Sequence, residues 1–234
     1  MKFRIDRNIF EDFPGFVVGV VSVRGADNSG THGEVMEMIR GKEKRISGVY
    51  DRETLKDAPQ VRAWRDAYRV FGVKKGQYTS SVENLHRMVL AGRELRAINP
   101  LVDIYNYISL KYMLPVGGED LRAASGDVVL RRAGEGEPEV LLIGEHDARS
   151  PKVGEVIYAD DVSAICRRWN WREADRTKLT VETKDCVLVI DALPPATKGE
   201  VQIAMDELVE LVQKFCGGEV AGYVLDVDNK EVVL

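Results

Sequence analysis

The sequence predicts an α+β fold in which helices pack on a mixed or antiparallel β-sheet system, and three observations predict it. Helix-period apolar stripes fill the first half, short β-rich runs between Gly, Pro and acidic turns fill residues 127–191, and no flexible polar linker parts the two textures between Leu114 and Asp127. With 234 residues and a 44% hydrophobic composition, the chain can bury a sizeable core. It reads as one domain over 1–234, with an N-terminal strand and helix at 1–59, a core at 60–193, and a C-terminal helix and strand pair at 194–234.

Each element follows from local signals. Gly15 to Arg24, GFVVGVVSVR, is a β-branched run whose continuity suits a strand buried on both faces. Asn28 to Lys44 predicts a helix, with Asn28 and Ser29 as N-caps and Val35, Met36, Met38 and Ile39 as its apolar stripe. Pro59 opens a second helix in which Val61, Trp64, Ala67, Tyr68 and Phe71 recur at helical spacing before Gly72 closes it; Trp64 belongs to the core. Ser80 and Glu83 spell a capping box ahead of VENLHRMVLAG, which Gly92 stops and in which His86 needs no special role. Asn99 followed by Pro100 starts a fourth helix, ended by Pro115, and Pro-Val-Gly-Gly then reads as a turn. The β-rich runs are DVVLRRA, EVLLIG, GEVIYAD, VSAICRRW, LTVE and DCVLVIDAL. Pro194 and Pro195 introduce a helix from Ala196 to Cys216 that Gly217 and Gly218 stop. A last strand pair, VAGYVLDV and KEVVL, turns at Asp228 and Asn229.

Composition excludes several classes. No apolar run approaches the roughly 18 residues that span a bilayer, and MKFRIDRNIF lacks the apolar stretch of a signal peptide, so a cytoplasmic protein with no membrane partner is expected. Cys166, Cys186 and Cys216 fit neither a disulfide framework nor a zinc site and read as small core residues; His32, His86 and His146 are too scattered for a metal cluster. No metal and no cofactor is expected. A net charge of −5 and a pI near 5.4 provide no global field for a phosphate backbone. A local patch exists in Cys166 to Arg176, CRRWNWREADR. No G-x-S-x-G supports Ser-His-Asp chemistry, and Gly117-Gly118 and Gly134-x-Gly136 lack the lysine or third glycine of a phosphate cradle, which leaves them as tight turns.

Four groups of polar residues could carry chemistry. Asp103, Asn106 and Tyr107 lie three and four apart on the fourth helix, so one face could hold a polar ligand or pin a loop. Asp160 and Asp161, after GEVIY, are paired acids or a solvated turn. Asp191 ends the apolar run DCVLVID, where a carboxylate becomes partly buried, or caps the turn before Pro194. Trp169 and Trp171 have period two, so on a strand both indoles face the core while Arg168, Asn170 and Arg172 face the other way, with Arg131 of a neighbouring strand in reach. That face holds a carboxylate or phosphate, or joins a structural Arg-carboxylate network.

Taken together, these stretches resemble the B3/B4 domain of the phenylalanyl-tRNA synthetase beta subunit in freestanding form. VDIYNYISLKYMLPVGGEDL is similar to that family's V-D-x-x-N-Y helix ending in proline, VVLRRAGEGE to its arginine-alanine strand, EVIYAD to its I-A-D strand end, and LTVETKDCVLVIDA to its T-x-x-V-L-L segment. AWRDAYRVFGVKKGQYTSSVENLHRMVLAG is typical of freestanding members, and the resemblance covers roughly Gln60 to Leu193. It implies a β-rich α+β module whose cleft, in the synthetase, hydrolyses tyrosine wrongly attached to tRNA. Asn106 matches the pocket asparagine and Pro115 the pocket proline. Gly117 stands where the family has a histidine and Val189 where it has the editing glutamate, leaving Asp191 as the nearest acid on the same strand face. The resemblance therefore implies a B3/B4-type module binding tRNA, another RNA or an aminoacyl-type ligand in a cleft walled by the Asn106 helix and the Arg-rich strand. Its expected lining is Asn106, Tyr107, Pro115, Gly117, Gly118, Arg131, Asp160, Arg168, Asn170 and Arg172. Two alternatives stand beside it: a hydrolase acting in trans on mischarged tRNA with Asp191 as catalytic candidate, and a small-molecule binder or enzyme on the same fold. The sequence does not specify an oligomeric state.

Overall fold

The computed structural model describes residues 1–234. β1 (Lys2–Ile5), too short for its period to announce itself, and the helix α1 (Arg7–Asp12) precede β2 (Val17–Arg24). β2 is the doubly buried run: Val17, Val21 and Val23 enter one core and Val18 and Val20 another, as period two requires. α2 spans Gly33–Val49 rather than 28–44. Asn28 is not its cap. Asn28 is buried, donates from Nδ2 to the Thr180 carbonyl at 2.7 Å and accepts the Leu101 N–H at 2.8 Å, satisfying both halves of its amide.

A 3-10 turn (Leu55–Asp57) leads into α3 (Pro59–Val70), followed by α4 (Ser81–Leu90) and α5 (Pro100–Tyr112), each close to where its capping signal puts it. Only half of the expected capping box on α4 forms. Ser80 accepts the Glu83 N–H, but the Glu83 carboxylate is buried and turned onto Arg65, with Nε to Oε2 2.9 Å, because a guanidinium satisfies a buried charge that a single backbone N–H cannot. α5 reverses at Met113, which has a left-handed φ of 55°. With the reversal complete there, Pro-Val-Gly-Gly is not a turn. Its residues enter β3 (Val116–Asp120).

β4 (Val128–Arg132), β5 (Val156–Ala159) and β6 (Ala164–Arg167) follow the expected runs, while β7 is only Arg172–Glu173. EVLLIG contributes two isolated bridges, Val140 to Arg149 and Leu142 to Ala174, and LTVE closes a turn in which the Thr180 N–H donates to Thr183 Oγ1; neither forms a strand. β8 (Cys186–Ala192) and α6 (Lys198–Phe215) come next, the helix starting on a full capping box between Thr197 and Glu200. β9 (Glu219–Leu225) and β10 (Glu231–Val233) are not a pair, as the sequence suggested, but join different sheets. The turn between them is held by the Asp226 carboxylate, which accepts from the Asp228 and Asn229 N–H groups at 3.0 and 3.1 Å.

The four-stranded sheet runs β3-β8-β2-β9 and is wholly antiparallel; the six-stranded sheet runs β10-β1-β4-β5-β6-β7, with only β1 and β4 parallel. The fold is thus the expected α+β arrangement. α2, α5 and α6 pack on one face of the four-stranded sheet, and its other face meets the six-stranded sheet across a second core that α1 and α3 complete. β8 therefore serves both cores, with Cys186, Leu188 and Ile190 toward the helices and Val187 and Val189 toward the second sheet. All three cysteines are buried and free. No helix is long and apolar enough to cross a membrane.

Candidate functional site

The two sheets part at one end around a cleft of about 460 Å³. Strand alternation along β8 turns Val187, Val189 and Asp191 into it, and β3 adds Gly117, Gly118 and Glu119. The second sheet contributes Tyr158, Cys166, Arg172 and Glu173, with Trp169 and Asn170 from the turn after β6. Tyr105, Asn106 and Ser109 of α5, Ser81, Asn84 and Leu85 of α4, and Ile143 and Gly144 of a loop also line it.

The acids are the cleft's distinguishing chemistry. Asp191 is 3% exposed; its Oδ1 accepts from the Tyr158 hydroxyl at 2.6 Å and its Oδ2 from Asn170 Nδ2 at 3.1 Å. Burial pushes its pKa up to about 6, and those two donors keep it from rising further. The Tyr158 phenol, itself buried beside that carboxylate, is driven well above its ordinary value and remains a donor. Glu173 is half-buried and lines the cleft. Burial raises its carboxyl to about 7, while the Gly118 N–H, donating to Oε1 at 3.0 Å, opposes the rise. Glu119 is pushed well above the carboxylate range by burial and by Glu173, and its Oε2 has no hydrogen-bond partner. Arg172 is the only Lys or Arg among the lining residues.

Of the residues the sequence nominated, Asn106, Pro115, Gly117, Gly118, Asn170, Arg172 and Asp191 line this cleft, and Tyr107, Arg131, Asp160 and Arg168 do not. Neighbouring helical residues are about 100° apart, so Asn106 turns inward while Tyr107 turns to α6 and donates to Glu207 at 3.3 Å. Asp103 instead accepts the Ile98 N–H at 2.9 Å. Arg131 is spent on Glu137, with Nη2 to Oε2 3.1 Å. Asp160 is neither a paired acid nor a solvated turn: its carboxylate is buried, and although burial would raise its pKa, the Ser125, Ser163 and Val162 N–H groups and Arg176 hold it below the usual value.

The expected Arg-Asn-Arg face does not form. Arg168 and Trp169 have left-handed φ values of 49° and 65°, so period-two alternation stops at the end of β6. Trp169 then drops into the core, edge-on to Phe13, Phe16 and Trp64 with centroids 4.7, 4.9 and 5.1 Å away. Arg167 is buried in a two-pronged pair with Glu155, both contacts 2.8 Å. The Arg168 guanidinium lies 3.6 Å from the Tyr78 ring centroid and 4.4 Å from that of Trp171. Neither arginine lines the cleft. Sequence reasoning missed Glu173, Glu119, Tyr158 and the α4 residues, because the pocket they share is assembled from seven strands and two helices.

A model of the B3/4 domain family matches residues 63–217, more than half of the chain. The phenylalanine–tRNA ligase beta subunit of Bordetella pertussis is 34% identical over 102 residues, covering 44% of this chain and 12% of that subunit. The corresponding subunit of Mesorhizobium japonicum is 30% identical over 150 residues, covering 64% of this chain and 18% of that subunit. The matched segments thus span less than a fifth of the curated relatives' length. A crystal structure of an N-terminal fragment of the phenylalanyl-tRNA synthetase beta subunit from Pyrococcus horikoshii superposes with a TM-score of 0.47 at 11% identity, covering 93% of this chain and 49% of that one.

Proposed function

The chain belongs to the B3/4 domain family, and from that premise we propose that it has a tRNA-related role in which the cleft binds the aminoacyl group carried at the end of a tRNA. The observation that carries this reading is the pairing of Asp191 and Glu173, two inward carboxyls, with a single cation, Arg172, among the lining residues. Such a lining suits the α-ammonium of an aminoacyl group. It does not suit the carboxylate or phosphate that an Arg-rich face would have taken. Tyr105, Tyr158 and Trp171 add aromatic surface to the lining for a side chain, and Asn84 and Asn106 supply neutral polar partners. The volume lies within the range of small-ligand sites.

A stable 3′-aminoacylamino adenosine tests the reading, titrated by calorimetry beside its N-acetylated counterpart. The free amine is expected to bind at least about tenfold more tightly, the value of one charge-assisted hydrogen bond, and to weaken as the pH falls through 7 and 6 and the two carboxyls protonate. Equal affinity of the two compounds, or none for either, removes the proposal.

A second reading, hydrolysis of a mischarged tRNA in trans, is favoured by the place of Glu173 in the cleft lining, where burial raises its carboxyl to about 7, into the range that suits a general base. The Glu173 carboxylate would take a proton from water as its oxygen attacks the ester carbonyl. The ester C–O bond then breaks, and the departing 3′-oxygen receives the proton. Turnover of any aminoacyl-tRNA in a deacylation panel, lost in Glu173→Gln, would establish it; a panel with no turnover leaves binding alone.

A further inference from the structure

We propose that a basic groove on the far side of α4 from the cleft is the docking surface for an RNA phosphodiester backbone whose 3′ end reaches the cleft. The inference rests on the reading of the cleft as the receiver of an aminoacyl end. α4 serves both features: Ser81, Asn84 and Leu85 line the cleft, while Glu83 and Arg87 line a groove of about 280 Å³ with Arg52, Glu53, Lys56 and Arg65. Only the width of one helix, about 10 Å, separates them.

The groove is built rather than incidental. Glu83 is fully buried, and it orients Arg65 through Nε at 2.9 Å and draws Arg87 Nη1 to 3.7 Å. With that charge consumed by Arg65, Arg52 and Lys56 stand exposed in no ion pair, and Glu53 is the one remaining carboxylate on the groove. The loop that carries Arg52 is set by Asp51, whose Oδ1 accepts the Glu53 and Thr54 N–H groups at 2.8 and 2.7 Å.

The charge distribution favours the same face. Residues 40–96 hold 14 of the 33 Lys and Arg but only 7 of the 38 Asp and Glu, so this stretch carries +7 while the rest of the chain carries −12. An acidic chain therefore concentrates its positive charge in the stretch that builds this groove. A polyanion approaching from solution is steered there and repelled elsewhere. The expected RNA-binding patch at Cys166 to Arg176 cannot do this, since Arg167 and Arg168 are buried. Guanidinium groups also pair with carboxylates, but the adjoining cleft selects an RNA over an acidic peptide.

Deacylated tRNA tests the groove, titrated at 50, 100 and 200 mM salt against the wild type, the variant Arg52→Ala/Lys56→Ala and a control, Lys152→Ala/Lys184→Ala. Neither exposed pair supports the fold. Loss of two phosphate contacts is expected to flatten the slope of log K against log salt by about 1.4 to 1.8 and to weaken binding about tenfold or more at low salt, with the control unchanged. Unaltered affinity and slope in the Arg52/Lys56 variant, an equal loss in the control, no tRNA binding at all, or binding of poly-glutamate as tight as that of tRNA overturns the proposal. The aminoacylamino adenosine reads the cleft separately. If it fails to bind while tRNA binding still depends on Arg52 and Lys56, the cleft reading falls and the groove remains.

Discussion

Glu173 carries a titration that a stability measurement can read. Its carboxyl titrates near 7 in the fold against 4.5 in the unfolded chain, so the folded state binds the extra proton between those values. Stability is therefore complete below 4.5 and declines as the pH rises through 7. The cost of holding the charge above 7 is about 3 kcal/mol for a dry carboxyl, and about 1–2 kcal/mol once cleft solvent screens it. Glu173→Gln keeps an acceptor for the Gly118 N–H and removes the charge. Its melting temperature is expected to exceed the wild type by about 3–6 °C at pH 8.5 and to match it at pH 4.5; an offset that ignores pH rejects the account. Asp191→Asn should act in the opposite sense. The new amide turns its NH2 toward that of Asn170, whose own Oδ1 already accepts from the Tyr68 hydroxyl at 3.0 Å, so one donor goes unpaired. A loss of about 1–3 kcal/mol is expected in urea unfolding at pH 7, and a variant as stable as the wild type would show the three-residue network to be dispensable. Asp191 was legible in the sequence because a carboxylate ending an apolar run must be enclosed. Glu173 was not, since beside Arg172 it reads as half of a solvated pair, and the Gly118 N–H that engages it lies 55 residues earlier.

At the scale of elements, β3 depends on two glycines. A Cβ at Gly118 would stand 2.5 Å from Leu188 Cδ2 and 3.2 Å from the Val187 carbonyl oxygen, and one at Gly117 would stand 2.6 Å from Glu173 Oε1. Gly118→Ala is expected to cost about 1–3 kcal/mol in overpacking and to lower affinity for any cleft ligand; a thermal melt and a ligand titration on the same sample decide it, and an unchanged melt would place β3 elsewhere. The sequence made Gly117 and Gly118 a turn because Gly-Gly usually is one, and the signal that argues otherwise is tertiary: a neighbouring strand too close for side chains. The segment from Arg167 to Glu173 shows the same limit. Alternation predicts one indole-bearing face, but left-handed backbone at Arg168 and Trp169 ends it, at a strain of about 1–2 kcal/mol for each residue. Complete burial of the Trp169 ring against three aromatic residues outweighs that strain. The helices came through well because a capping residue and a 3.6-residue period act within a few positions of each other.

For the whole molecule, β2 and β8 give side chains to both large cores, so neither core can dissolve while the other stands. Unfolding in urea is expected to be one transition, coincident by far-UV circular dichroism and by the fluorescence of Trp64, Trp169 and Trp171; separated midpoints would divide 1–234 into independent units. Charge is also organised at this scale, with the basic stretch of residues 40–96 beside a cleft whose lining is acidic. The ligand proposed for cleft and groove together would be cationic at its tip and anionic along its body. By itself the sequence determined the α+β class, most helices and strands, the burial of its cysteines and Trp64, and the kinship with the B3/4 family, because those follow from short-range periodicity and motif order. Only the tertiary structure decided which arginines are consumed by Glu155, Glu137 and aromatic rings, and which acids are enclosed in the cleft. A charge's partner and its solvation are properties of the neighbours that sheet order supplies, and those neighbours are distant in the chain.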